Sequence, residues 1–306
     1  MRKTFITTLV EEARNNDKIF LITPDIGYSV LEPFMNEFPD RYLNVGVAEQ
    51  NAISIAAGLA LTGFIPYVYT IMPFVSMRPY EQIRVDVAYM NTNVRIVGVG
   101  AGFSYGSAGA THHSIEDIAI MRCLPNMTVV CPGDPWEVEQ AIKDSVTYKG
   151  PMFFRLGKQN EPKINSESAT FEIGKAIQVL EGDELTIITT SNTLELSFKI
   201  AQELKANGKS ATLISMHTIK PFDEATLLKI LSKEKPVFTI EEHNIIGGLG
   251  SAVSEIIAES PFNPTFKRFG VNDKYSHFVG GHDYIRSKYG LTVENITDQI
   301  LKQITK

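Results

Sequence analysis

Cysteine, tryptophan and excess positive charge are all scarce in this chain of 306 residues: two cysteines, one tryptophan, and 29 Lys and Arg against 35 Asp and Glu. The formal net charge of −6 leaves no basic face of the kind that follows a phosphate backbone, so nucleic acid is not an expected partner. Cys123 and Cys131 do not form a metal-ligand spacing and sit in apolar surroundings. Both are expected as buried free thiols, which suits a reducing cytoplasm. Long hydrophobic runs are missing too. The longest, Ile53 to Leu61, is about half of the roughly 20 residues that a membrane-spanning helix needs. Met1-Arg2-Lys3 leads into threonines and Glu11-Glu12 with no export-type cleavage pattern, and a soluble cytoplasmic protein without membrane contact is expected.

What is present is a globular composition, 43% hydrophobic and 21% charged, long enough for two domains. Short apolar runs alternate with longer amphipathic stretches, the pattern of parallel sheets covered by helices. Strands are predicted at Ile19-Ile22, Tyr67-Ile71, Val94-Val99, Thr128-Cys131 and Met152-Arg155. Helices are predicted at Lys3-Asn15, Ala48-Thr62, Arg78-Tyr89 and Pro135-Thr147, the last with Asp134 as N-cap and Pro135 at the first helical position. Leu156 to Ala169 is polar and reads as a linker. A second alternating unit follows: strands Leu185-Thr190, Ser210-Ser215 and Val237-Glu241, and helices Thr193-Asn207, Asp223-Ser232 and Gly250-Ser260. The expected fold class is α/β, two consecutive domains of residues 1–164 and 165–306, each a mostly parallel sheet flanked by helices.

One carboxylate, Glu49, stands where the apolar run Arg41-Tyr42-Leu43-Asn44-Val45-Gly46-Val47-Ala48 becomes a small-residue helix. On its own, an acid there does no more than favour the positive helix end. Further on come Ile71-Met72-Pro73-Phe74-Val75-Ser76-Met77-Arg78, Gly106-Ser107-Ala108-Gly109-Ala110-Thr111-His112-His113 and Leu124-Pro125-Asn126-Met127. This order of motifs resembles the pyrimidine-binding half of transketolase and of its relative 1-deoxyxylulose-5-phosphate synthase, both thiamine diphosphate enzymes. Thr218-Ile219-Lys220-Pro221-Phe222-Asp223, Glu241-Glu242-His243-Asn244 and Gly247-Gly248-Leu249-Gly250-Ser251 resemble the C-terminal domain that transketolases share with 2-oxoacid dehydrogenase beta subunits.

The resemblance implies roles. Glu49 matches the carboxyl group that bonds N1′ of the cofactor pyrimidine, a task that needs a site held away from water. Phe74 matches the aromatic on which that ring stacks, with Ile71 and Met77 as aliphatic lining where transketolases often carry further aromatics. His112 matches the histidine that contacts substrate beside the reacting carbon, and could donate to a developing alkoxide; His113, Lys158 and Arg78 are further substrate candidates, and His243 a weaker one. Two adjacent histidines do not share a face, and no third ligand accompanies them, so no metal is assigned to this chain. Gly100, Gly102, Gly106 and Gly109 do not form a Gly-x-Gly-x-x-Gly entry to a helix, and dinucleotide binding is not expected.

What the motif series lacks completes the expectation. Family members hold the diphosphate and Mg²⁺ with Gly-Asp-Gly and a later Asn, whereas here Gly133-Asp134 runs into Pro135 and Gly182-Asp183 into Glu184. The resemblance thus implies a separate N-terminal transketolase subunit carrying Gly-Asp-Gly…Asn, thiamine diphosphate with Mg²⁺ bound by that partner, and an α2β2 heterotetramer. Ala108 stands where an Asp usually reads a sugar hydroxyl, and Gly100 and Ala101 replace polar groups, which points to an unusual sugar, unphosphorylated or carried on a nucleotide. Three other readings stay open: deoxyxylulose-phosphate synthesis, a 2-oxoacid dehydrogenase beta subunit, and a non-catalytic paralogue that only binds a partner.

Overall fold

The computed structural model describes residues 1–158, 160–166 and 169–304. The first sheet gathers β1 (Ile19–Thr23), β2 (Tyr42–Asn44), β3 (Ile65–Ile71), β4 (Arg95–Val99), β5 (Thr128–Val130) and β6 (Met152–Leu156). The second gathers β7 (Ile177–Leu180), β8 (Leu185–Thr189), β9 (Ala211–Ser215), β11 (Val237–Asn244) and β12 (Phe266–Val271); β10 (Thr218–Lys220) crosses back to the first. The orders are β10-β5-β6-β4-β3-β1-β2 and β12-β11-β8-β9-β7. Every pairing is parallel except β10 with β5 and β7 with β9.

Parallel sheets are covered on both faces, and their strands are therefore continuously apolar. β3, β4 and β6 are buried along their whole lengths. On one face of the first sheet, helices Arg2–Asn15 and Pro135–Thr147 set Phe5, Leu9, Val138 and Ile142 against Tyr67, Val97 and Phe154. Asp134 caps the second of these by accepting from Glu137 N–H, with Pro135 at its first position. On the other face, Ala52, Ile53 and Ala56 of helix Glu49–Leu61 bring it close to the sheet, beside Val75, Ile83 and Val87. That core runs on into Ile188, Ile214, Leu227 and Val253 of the second half.

The predicted helix over 78–89 is divided: a short helix Met72–Met77 precedes it, Pro79 stands at a break, and Ile83–Tyr89 winds as a π-helix. The predicted linker is fastened rather than free. Leu156 ends β6, and buried Asn165 donates to Asp134 and Glu137 through Nδ2. Cys131 is buried as expected, but Cys123 is exposed, because it follows helix Asp117–Arg122 and faces the Tyr80 hydroxyl at 3.4 Å instead of the core.

Between the two sheets lies a buried ion pair. Arg155 of β6 donates through Nε to Asp117 at 2.7 Å, and its remaining N–H groups reach the Ser191 hydroxyl and the Ser114 and Glu242 carbonyls. A charge so deeply buried is tolerable only when paired and fully hydrogen-bonded.

Candidate active site

Open parallel sheets bind ligands beyond the carboxyl ends of their strands. Glu49 follows β2, Phe74 follows β3, the loop 100–113 follows β4, and Lys158 follows β6. The candidates are thus gathered by the sheet although they are spread over more than a hundred residues.

Glu49 is the first residue of helix Glu49–Leu61 and only 4% exposed. Its Oε1 accepts from Arg78 Nη1 at 2.8 Å. The Arg78 guanidinium lies over the Phe74 ring, 3.9 Å from its centre, and the His112 ring stands edge-on to Phe74 with centroids 5.0 Å apart. Pro73 near the start of helix Met72–Met77 fits the first turn, where the chain leaves β3. One acid, one cation, one aromatic face and one imidazole therefore meet.

Ile71 ends β3 and borders a cavity of about 220 Å³ shared with Gly27, Tyr69 and Tyr105, whereas Met77 closes the same short helix and is 39% exposed. His112 is half-buried, with Nδ1 3.0 Å from the Thr111 hydroxyl. His113 turns the other way. Its ring is buried against Phe103, both nitrogens lack partners among the described residues, and burial lowers its pKa. Lys158 joins the group at one remove, its ammonium 4.6 Å from the centre of the Tyr105 ring, which lies 6.3 Å from His112. Tyr105 also explains Gly100: φ is +92°, and an added Cβ would stand 2.1 Å from the tyrosine ring. The aromatic fills the space into which a side chain at 100 would project.

His243 is apart from this face. Nδ1 donates to the Asn244 carbonyl at 2.7 Å, Nε2 accepts from Ala119 N–H, and burial pushes its pKa down to about 4, so it is a neutral core histidine. Asp134 is likewise committed, holding the Ile164 and Asn165 N–H groups besides its cap. Among the described residues no cluster of three His, Cys, Asp or Glu side chains is disposed to hold a metal ion.

Sequence reasoning missed Glu242. Fully buried, it accepts from Phe103 N–H, Asn192 Nδ2, both bonds of His282 Nε2, and Arg286 Nε. Burial opposes its charge, but Arg286 and His282 outweigh burial and hold its carboxyl well below the usual range. Gly102 packs against it where a Cβ would lie 2.2 Å from Oε1. No local signal could have joined residues 40 positions apart or more; the doubled acid Glu241-Glu242 was the only mark.

Residues 1–163 match the pyrimidine-binding domain of transketolase, and residues 174–296 the transketolase C-terminal domain. The chain belongs to the transketolase family. It is 41% identical, over its full length and 96% of the relative, to a Methanocaldococcus jannaschii protein named for the C-terminal section of a transketolase. It is 37% identical, over 97% of this chain and 92% of the relative, to a 6-deoxy-6-sulfo-D-fructose transketolase subunit of Clostridium sp. strain MSTE9. A split-gene transketolase solved as an inactive beta4 tetramer superposes with a TM-score of 0.90 at 35% identity, covering 99% of this chain and 98% of that one. Transketolases generally depend on thiamine diphosphate, and no helix among the described residues of this one is long and apolar enough to cross a membrane.

Proposed function

We propose that this chain is the C-terminal subunit of a split transketolase-like enzyme that moves a two-carbon ketol unit from a ketose to an aldehyde. A partner subunit carrying Gly-Asp-Gly…Asn would hold the diphosphate and Mg²⁺, with the site at the interface of an α2β2 assembly. The single observation that carries the reading is the Glu49–Arg78–Phe74 contact. A flat group bearing N–H donors already bonds the buried acid and lies on the aromatic face. The edge and face of an aminopyrimidine would meet the same two residues, so the site fits thiamine.

When bound, thiamine diphosphate supplies the carbanion chemistry that cleaves one C–C bond of the ketose and forms another to the acceptor aldehyde, with no net oxidation. Glu49 would bond N1′ of the bound pyrimidine, its place at the helix start keeping it fixed and out of water. Phe74 supports the ring, a contact worth about 0.5–1.5 kcal/mol beyond burial. His112 donates to the oxygen of the reacting carbonyl as charge develops there. Arg78 holds the pyrimidine's place on Glu49 and Phe74 before the cofactor enters and gives it up as the ring binds.

Exposed Val47 precedes the helix of Glu49, Met77 ends that of Phe74, and Val85, Tyr89 and Met90 lie on or just after the π-helix that follows. Exposed apolar side chains on these elements support partner docking there. The small residues Gly100, Ala101 and Ala108, with Tyr105 filling the space beside Gly100, support a sugar other than the common pentose phosphates. The test is Glu49→Gln in the complex reconstituted with the partner. Ketol transfer should fall by about 10²–10⁴-fold, and unaltered activity would return the non-catalytic reading.

A further inference from the structure

His112 is carried by a loop that the second half of the chain holds at its base and along one side. The loop opens after β4 and closes at a Gly102–Ser114 bridge, in which each N–H donates to the other residue's carbonyl at 2.9 Å. Within it two 3₁₀ turns, Gly106–Ala108 and Ala110–His112, follow one another, and His112 N–H donates to the Gly109 carbonyl at 2.9 Å. A loop fixed only by its own turns belongs to the mobile parts of a protein. A side chain that must meet a reacting carbonyl needs its place set to within about 0.5 Å.

The fixing groups come from the second half. At the base, Glu242 Oε1 accepts from Phe103 N–H at 2.5 Å, and Asn192 Nδ2 donates to the Ala101 carbonyl at 3.2 Å. Further along, Gly280 N–H donates to the Gly106 carbonyl at 3.3 Å, and a Cβ on Gly106 would stand 2.6 Å from the Gly280 oxygen. The Phe103 ring stacks on Tyr289 of the second half, with centroids 5.2 Å apart. It also meets His113, the neighbour of His112 in the chain, edge-on at 5.1 Å.

Glu242 is itself held from several sides. His282 Nε2 lies 2.8 Å from Oε1 and 2.9 Å from Oε2, Asn192 Nδ2 donates to Oε1 at 3.1 Å, and Arg286 Nε donates to Oε2. Arg286 in turn donates to the Asn192 carbonyl at 2.9 Å. One carboxylate thus gathers helix His282–Lys288, the turn Ser191–Thr193 and the loop of His112. Adhesion of the two halves does not call for a charge here, since apolar side chains of similar volume would join them at least as well. Asn192 agrees with that: it is 6% exposed and its Oδ1 has no donor among the described residues, which costs stability. What these groups add is direction, because a charge-assisted bond to a backbone N–H is short and sets the geometry of the chain that carries it.

We propose that Glu242, with Asn192 beside it, is a positioning residue of the reaction: it fixes the base of the loop and so sets where His112 stands. It acts through the loop and not by contact with cofactor or sugar. The inference rests on the role given to His112 above.

The test is a double-substitution cycle on the complex with its partner, in which hydroxypyruvate and glycolaldehyde give erythrulose and CO₂ and kcat is the readout. Glu242→Gln keeps an acceptor for Phe103 N–H but removes the charge that gathers His282 and Arg286. It should lower kcat about tenfold with His112 present and less than about twofold in a His112→Ala background, because a residue that acts through His112 then has nothing to act through. Equal factors in the two backgrounds, or no loss with His112 present, would overturn the proposal. Asn192→Ala takes the same place in the cycle if Arg286, left without its carboxylate, keeps Glu242→Gln from folding. If the wild-type complex makes no erythrulose, the ketol-transfer reading fails by itself. The clamp is then judged on the wild-type chain alone, as it also is if neither variant folds, by hydrogen exchange at the Phe103 amide, whose acceptor is Glu242. Exchange as slow as that of the β4 amides supports the clamp, and exchange at the rate of an open loop overturns it.

Discussion

Glu49 and Arg78 are joined by a 2.8 Å ion pair whose partners differ in exposure, the acid side chain at 5% and the arginine at 44%. A pair so open to solvent on one side contributes about 1 kcal/mol or less to stability. Its consequence is occupancy: the guanidinium fills the place on Glu49 and Phe74 that a pyrimidine would take, and it must leave as the cofactor binds. Arg78→Met should therefore tighten thiamine diphosphate binding by the reconstituted complex, by up to about fivefold, while changing unfolding free energy by about 1 kcal/mol at most. Cofactor titration and denaturant unfolding measured on the same preparation separate the two effects.

Asp117 is the opposite case. Its partner Arg155 is 1% exposed and ties β6 to carbonyls of both halves. Asp117→Ala leaves an unanswered guanidinium in the core, which should cost about 3–5 kcal/mol. Urea unfolding reads this directly, and a loss below about 1 kcal/mol would mean that water reaches Arg155.

Stability should also depend on pH through buried acids. Burial and neighbouring Asp134 push Glu137 up to about 7, and burial pushes Glu241 up to about 7. A carboxyl with a raised folded pKa binds its proton more tightly when folded. Its contribution is full below the unfolded value and is lost as pH rises through 7. Burial of His217 and His243, lowered to about 3 and about 4, acts in the other sense, since both must charge on unfolding below their usual pKa. Glu137→Gln removes one acid from this balance. Between about pH 5 and pH 7 the variant should lose less stability than the wild type, by up to about 3 kcal/mol, as read by urea unfolding at each pH; parallel curves would contradict the assignment.

What could be read in the sequence was local. The helix Pro135–Thr147 was legible to the residue because its cap and its proline are adjacent. That Glu49, Phe74 and His112 lie on one face could be read because their motifs follow strands of the first sheet, His112 at the far end of the loop after β4. The rest depended on distant partners. β10 is three residues long and pairs antiparallel with a strand almost ninety positions earlier, so periodicity gave no sign of it. Arg78 was taken to face substrate, and its bond to Glu49 arises only where two helices converge. The Glu242 cluster draws on four segments, and the motif Glu241-Glu242-His243-Asn244 gave no sign of its partners Phe103, Asn192, His282 and Arg286.

The central claim is that this chain holds half of a cofactor site. Isothermal titration of thiamine diphosphate with Mg²⁺ tests it, first into the chain alone and then into the chain with the protein that copurifies from its native extract. Saturable binding should appear only in the mixture, and Glu49→Gln should weaken it at least about tenfold. Equally tight binding by the chain alone would contradict a site completed by a partner.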